Sequence, residues 1–247
     1  MQRYFVQAFD GDTVTLAGND ARHISRVMRM AAGDSIICSD GSRTARCKLQ
    51  EITNEKVSAN IVEWMHESQE LPVSVTIAQG LPKADKLDYI VQKGTELGAA
   101  GFLPFAAERS IVKWTKEKSE KRVARLEKIA KEAAEQSHRQ TIPSIYPPVT
   151  FDDLLQKGEQ YQLKIVAYEE EAKNKEDNDL PNVLKTISHG QSILFVVGPE
   201  GGFSKEEIEQ LKEHHFHICG LGPRILRTET ASLYFLAVVS YETELMR

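Results

Sequence analysis

Residues 193–203 read ILFVVGPEGGF, an unbroken apolar run that empties into a glycine-rich turn. Five consecutive apolar residues bounded by turn residues are the pattern of a strand covered on both faces. Such strands belong to parallel sheets, whose ligands meet the loops at the strands' C-terminal ends. Gly198, Gly201 and Gly202 let the main chain turn sharply and approach a ligand, and Pro199 stiffens the turn. Ser204 and Glu207 stand at capping-box spacing, so the loop is expected to open into a helix. A second stretch, LGPRILRTETA at 221–231, follows a short apolar segment, 218–221, and leads into a longer one that begins near Thr230. Two loops of ligand-binding type therefore lie close together in the last third of the chain.

Neither loop fits the common nucleotide signatures. A dinucleotide or ordinary methyl-donor fold places GxGxxG after its first strand, and here both position and spacing differ. No Lys-Ser or Lys-Thr pair follows the glycines to hold phosphate and magnesium. One glycine-rich loop is as readily a structural turn as a site, but the pairing of two favours a ligand.

The composition, 41% hydrophobic and 27% charged over 247 residues, is that of a globular protein with room for one large domain or two smaller ones. The opening MQRYFVQAFDGD has no apolar core of signal-peptide length, and the longest strongly apolar run, 233–239, is too short to span a bilayer. A cytoplasmic protein with no membrane partner is expected. Cys38, Cys47 and Cys219 are scattered and without CxxC spacing, so they read as reduced and structural. His214, His215 and His217 beside Cys219 have no second ligand group to converge with, and no metal is expected. A net charge of -5 argues against a general nucleic-acid coat protein but leaves room for a local basic patch.

Such a patch is present near the start. Residues 20–32 predict a helix with Asp20 at the N-cap, Ile24, Val27, Met28 and Ala31 inward, and Gly33 just past the end. Arg22, Arg26 and Arg29, at i, i+4 and i+7, share the other face, with no acidic residue between Asp20 and Asp34. Around it, Ala45, Cys47 and Leu49, and then Val57, Ala59 and Ile61, alternate with polar neighbours, and Asp10-Gly11 and Asp40-Gly41 suit hairpin turns. A small β-barrel is expected over residues 1–70, ending at the polar stretch 66–72.

From Val73 the chain alternates strands and helices. Val73, Val75 and Ile77 predict a strand, and Leu87, Ile90, Val91 and Leu97 predict a helix with Asp85 at its cap. Residues 117–139 predict a longer helix with Val123, Leu126, Ile129, Ala130 and Ala133 buried. Its basic face, Lys121, Arg122, Arg125, Lys128 and Lys131, runs on to His138 and Arg139, laced with glutamates. A short helix near 152–157 and a strand at 163–168 follow. Residues 169–179 are acidic without an apolar face and read as a surface loop. Residues 233–239 would be apolar all round a helix, which then needs cover on more than one side.

Taken together these motifs resemble the RsmE family of ribosomal RNA methyltransferases, of the SPOUT superfamily. GPEGGF and LGPRILRTETA resemble its two C-terminal motifs. KLDYIVQKGTELG (86–98), with Pro104, Arg109 and Ser110 beyond it, resembles a third. EQSHRQTIP (135–143) and HISRVMRMAAGD (23–34) extend the likeness over nearly the whole chain. The resemblance implies an α/β fold: a SPOUT-type, trefoil-knotted, parallel-sheet methyltransferase domain at 71–247, preceded by a PUA-like RNA-binding β-barrel domain at 1–70. It implies S-adenosylmethionine-dependent methylation of N3 of a uridine in 16S ribosomal RNA of the small ribosomal subunit, by a homodimer joined through the 233–239 helix.

By the same resemblance, Val197, Gly198, Pro199, Glu200, Gly201, Gly202, Leu221, Gly222, Ile225, Leu226 and Thr230 would bind the cofactor. Arg22, Arg26, Arg29, Arg109 and Arg139 would contact RNA. Uracil N3 carries a proton that must leave, and charge builds on the flanking oxygens, so a base and a cation are useful. Arg227 and Glu229 lead as catalytic residues, with Glu200 third. The competing structural reading is an Arg227–Glu229 ion pair, or a Glu229 that merely suits a helix N-terminus. Two other functions remain open: an RNA-docking assembly factor without turnover, and a methyltransferase acting on a ribose 2′-oxygen or another base.

Overall fold

The computed structural model of the chain describes residues 1–112, 114–168 and 180–246. The acidic stretch 169–179 lies outside the described residues. The chain divides into two compact units, Met1–Glu70 with Lys131–Ile142, and Leu71–Ala130 with Pro143–Arg247, so the first takes a segment from the middle of the sequence.

In the first unit, strands β1 (Arg3–Phe5), β2 (Thr13–Ala17), β3 (Ser35–Ser39), β4 (Thr44–Ile52) and β5 (Lys56–Met65) form one sheet in the order β1-β3-β4-β5-β2. Ala45, Cys47, Leu49, Val57 and Ala59 are buried, as their alternation predicts, against Tyr4, Leu16, Ile36 and Cys38. Register shifts at Arg46/Cys47 and Leu49/Ile52 curl the sheet, and β1 and β2 are its two edges, which makes a half-barrel. At the β3–β4 turn the Asp40 carboxylate accepts the main-chain N–H groups of Ser42 and Arg43 at 3.0 and 2.7 Å.

The arginine-bearing helix differs from expectation. Helix α1 spans only Gly18–Arg22, with Ala17 rather than Asp20 at its N-cap, and runs on into a single π-helical turn, His23–Val27. Arg29 lies past its end in a left-handed conformation (φ 52). The stop is made by polar partners: Met30 N–H reaches the Ile24 carbonyl at 3.1 Å, and Asp34 accepts the Ala31 N–H at 2.8 Å. The wider turn sends Val27 and Met28 into solvent instead of the core.

The second correction concerns Arg139. Helix α3 (Lys116–Gln136) stops before it, and His138 turns left-handed (φ 58). Arg139 is 3% exposed, and its guanidinium is ion-paired with Glu70, with Nε 3.1 Å from Oε2. Glu70 also accepts the main-chain N–H groups of Gln140 and Thr141, at 2.8 and 3.1 Å. A guanidinium committed in this way is a structural charge within the first unit, not one presented to a polyanion. Burial opposes ionisation of Glu70, but Arg139 and the two N–H groups outweigh it and hold the carboxyl below the ordinary range.

The second unit is a parallel sheet of β6 (Ser74–Gly80), β7 (Gly101–Ala106), β8 (Ser144–Ile145), β9 (Val149–Thr150), β10 (Leu163–Ala167), β11 (Ser192–Val197) and β12 (His217–Cys219). Its order is β12-β10-β11-β6-β7-β8, with β9 also on β7. Ile193, Phe195 and Val197 enter one core with helices α2 (Lys86–Glu96), α5 (Leu180–Thr186) and α7 (Thr228–Ser240). Leu194 and Val196 enter the other with α4 (Phe151–Gly158) and α6 (Lys205–Glu213). A continuous apolar strand is therefore what a sheet covered on both faces requires. Phe195 and Phe235 stack with ring centroids 3.7 Å apart, which fixes α7 on β11. Among the described residues no helix is long and apolar enough to cross a membrane.

Glu70→Ala removes the carboxylate partner of a buried guanidinium and should cost about 3–5 kcal/mol of stability at neutral pH, measured by urea unfolding. Because Glu70 is depressed in the folded state, its contribution is present above the unfolded glutamate value of about 4.3 and is lost as pH falls through the lower folded one. The variant should therefore lose less stability than the parent on acidification. Equal stabilities at pH 7 would refute the account.

Candidate functional site

The site starts from strand register. Val197 pairs with Gln79 of β6 and with Ala167 of β10, and Ala167 pairs with Cys219 of β12, so four strands end level and release their loops on one edge. A Cβ on Gly80 would lie 2.5 Å from the Pro199 nitrogen, so only glycine lets the β6 exit pass against the GPEGGF turn. A Cβ on Gly201 would lie 3.0 Å from the Arg109 Cβ and 3.1 Å from its carbonyl oxygen. The close approach expected of Gly201 is therefore made to Arg109, on the loop after β7.

A buried polar clasp closes the two motifs on each other. The Thr228 hydroxyl, in the first turn of α7, donates to the Gly198 carbonyl at 2.6 Å and accepts from the Gln79 amide at 2.7 Å. The Ser232 hydroxyl donates to the Gln79 carbonyl oxygen at 2.7 Å. All three side chains are buried. Sequence reasoning missed Gln79, although a lone amide inside the apolar run VTIAQG was a visible signal, since a buried amide demands partners.

Above the clasp, the 198–203 and 221–228 loops wall a cleft of 1020 Å³. Of the expected cofactor residues, Val197, Gly198, Pro199, Glu200, Gly201, Gly202, Leu221, Gly222, Ile225 and Leu226 line it, and Thr230 does not. Thr230 sits exposed in the first turn of α7, its N–H on the Arg227 carbonyl at 2.9 Å. Arg109 is on the wall, its guanidinium 3.3 Å from the Gly201 carbonyl. Lys86, Tyr168, Phe203 and Arg224 line the cleft as well and were not anticipated. Ile225 is 75% exposed, an apolar side chain left uncovered on the wall of a concave site.

Electrostatics concentrate at Lys86, the first residue of α2. Its ammonium is 2.9 Å from Glu200 Oε1 and 3.2 Å from Glu229 Oε2. Glu200 also accepts the Lys83 main-chain N–H at 3.1 Å. Burial works against the Glu200 charge, but the Lys86 ammonium and the main-chain N–H groups of Glu200 and Lys83 together outweigh it and hold the carboxyl below its ordinary range. The same bond to Glu200, with Glu229 adding, raises Lys86. Glu229 Oε2 is buried without a hydrogen bond, so Lys86 neutralises it at close range but does not saturate it. The expected Arg227–Glu229 pair is replaced by Lys86–Glu229. Arg227, at the N-cap of α7, is exposed on the cleft wall with no acidic partner among the described residues. A lysine in a helix's first turn opposes the helix dipole, and here two carboxylates offset that cost.

Arg22, Arg26 and Arg29 belong to the first unit and are exposed; Arg26 Nε donates to Asn54 at 3.1 Å. Among the described residues no three His, Cys, Asp or Glu side chains converge as a metal site, and His214 lies 3.5 Å from Glu159.

Residues 69–240 match the family described as RNA methyltransferase domain, and residues 16–62 the RNA methyltransferase PUA domain. Ribosomal RNA small subunit methyltransferase E of Bacillus subtilis is 48% identical, over 100% of this chain and 99% of that protein. The protein of the same name in Synechocystis is 33% identical over 92% of this chain and 73% of its own length. Among solved structures, the ribosomal RNA small subunit methyltransferase E of Neisseria gonorrhoeae, bound to S-adenosyl methionine, superposes with a TM-score of 0.85. It is 30% identical, with 97% of each chain covered.

Proposed function

Since the chain belongs to the ribosomal RNA small subunit methyltransferase E family, we propose that it methylates N3 of one uridine in small-subunit ribosomal RNA, using S-adenosylmethionine. The observation that carries the reading is the cleft between the two C-terminal loops, with the Glu200–Lys86–Glu229 group at its edge.

The cleft fits a small organic cofactor. Its 1020 Å³ lies just above the range of about 300–1,000 Å³ for such sites, and its walls combine apolar side chains with the glycine-bearing main chain of two loops. Residues 198–202 and 221–226 would hold the ligand, which would cover Ile225. The cofactor supplies a methyl group already activated by its sulfonium, and so leaves the protein the tasks of orientation and water exclusion. Of the acids, Glu200 is on the cleft wall and Glu229 stands behind Lys86; we assign the pair to accept the N3 proton. Arg227 is free to meet charge that builds on a uracil oxygen.

N3 lies on the pairing edge of uracil, so the base is taken unpaired or flipped. Exposed Arg22, Arg26, Arg29 and Arg109 are assigned to RNA phosphates, and Arg139 is withdrawn from that set. Because the substrate is ribosomal RNA, the enzyme works in the cytoplasm. A homodimer is proposed through α7, which leaves Tyr234 exposed, and through the π-helical turn Tyr241–Leu245 that continues it, which leaves Tyr241 and Leu245 exposed.

A methyl on N3 blocks pairing, so reverse transcriptase should stop at a single uridine of small-subunit RNA after incubation with the protein and cofactor. A ribose 2′-O-methyl leaves the pairing edge free. Methyl incorporation without a stop would exclude N3, and no incorporation into free RNA or ribosomal particles would favour an assembly factor. Replacing Arg22, Arg26 and Arg29 with Ala should weaken RNA binding and flatten its salt dependence; an unchanged slope returns them to a solvated surface. Light scattering at micromolar concentration should give the mass of a dimer, and a monomer there would contradict the assignment.

A further inference from the structure

Three separate elements converge on the Lys86 ammonium: α2 carries the lysine, the loop after β11 carries Glu200, and the first turn of α7 carries Glu229. Two local costs accompany the arrangement. The lysine stands in the first turn of its helix, against the dipole. Ala84, a non-glycine residue, is left-handed (φ 54) in the turn that brings both the Lys83 N–H and the Lys86 side chain to Glu200.

Lys86 lines the cleft and Glu229 does not, so the lysine stands between this half-buried acid and the cleft. Two carboxylates brought to one cation repel each other, and the cation between them offsets that repulsion. With one ammonium shared by two acids, the formal charges of the group sum to one net negative charge. Such a group has room for one proton. We propose that Lys86 is a positioning residue for proton removal, holding Glu200 and Glu229 as an ionised pair that takes the N3 proton of the target uracil.

The N3–H bond breaks, its electron pair stays on N3, and an O–H bond forms on a carboxylate; the lysine keeps its own protons. The inference rests on the methyltransferase reading. The other charged or titratable groups on the cleft wall are Arg109, Tyr168, Arg224 and Arg227. Asp85, beside Lys86 in sequence, is turned to Arg122 at 3.7 Å.

The test uses the full chain with Lys86→Met and Lys86→Arg. In protein labelled with 13C at the glutamate carboxyls, Lys86→Met should raise the titration of one acid of the pair by about one pH unit or more, identified through Glu200→Gln, and Lys86→Arg should restore it. This readout needs neither cofactor nor RNA. In turnover, the acid limb of kcat against pH should move up by the same amount in Lys86→Met and stay in place in Lys86→Arg. A Lys86→Met enzyme with parental titration, or one slowed equally at every pH, overturns the proposal. A parent chain that incorporates no methyl while the carboxyl titration behaves as described overturns the activity instead, and with it the step assigned to the pair.

Discussion

The hydroxyl of Thr228 is hydrogen-bonded at once to the end of β11 and, through Gln79, to the end of β6, and the site depends on that pair of hydrogen bonds. Each hydrogen bond is worth only about 0.5–1.5 kcal/mol net. Leaving its partners buried and unpaired costs about 1–3 kcal/mol each, so the asymmetry holds the clasp shut. Without it the GPEGGF loop and the loop before α7 would be two separate connections on one sheet edge. With it they are opposite walls of one cleft. Ser232 completes the amide's partners from the next turn of α7, so the helix start cannot shift without opening several bonds together.

The rest of the second unit serves to make that edge rigid. A parallel sheet buried on both faces keeps the ends of β6, β10 and β11 in register, and the Phe195–Phe235 stack anchors α7 to β11 below the clasp. Charge is then arranged on the rim. Lys86 bridges two acids that belong to different motifs, and this joins the third sequence motif to the other two. The chemistry proposed for the cleft needs such a frame, because a cofactor that arrives with an activated methyl leaves the protein mainly to position groups.

Legibility in the sequence followed the range of the interactions. The run 193–197 and the Ser204–Glu207 capping box were readable because their causes are local: burial on both faces, and a cap three residues from its partner. So was the alternation in β4 and β5. The extent of α1 was not, because its end depends on Asp34 and on a π-helical turn that no 3.6-residue pattern contains. Arg139 looked like the end of a basic face, and its burial depends on Glu70, far away in sequence. The wall of the cleft was legible through its glycines and prolines. Its electrostatics were not: the acids stood out, while the cation that binds them, Lys86, lies in another motif, and Arg227 made a nearer but mistaken partner for Glu229.

The clasp is tested most directly by cofactor calorimetry on Thr228→Val and Thr228→Ser. Valine keeps the shape and removes the hydroxyl, whereas serine keeps the hydroxyl. The account predicts that Thr228→Val binds S-adenosylmethionine about tenfold or more weakly, as expected for the loss of about 1.4 kcal/mol or more, while Thr228→Ser stays near the parent. A folded Thr228→Val protein with parental affinity would contradict it.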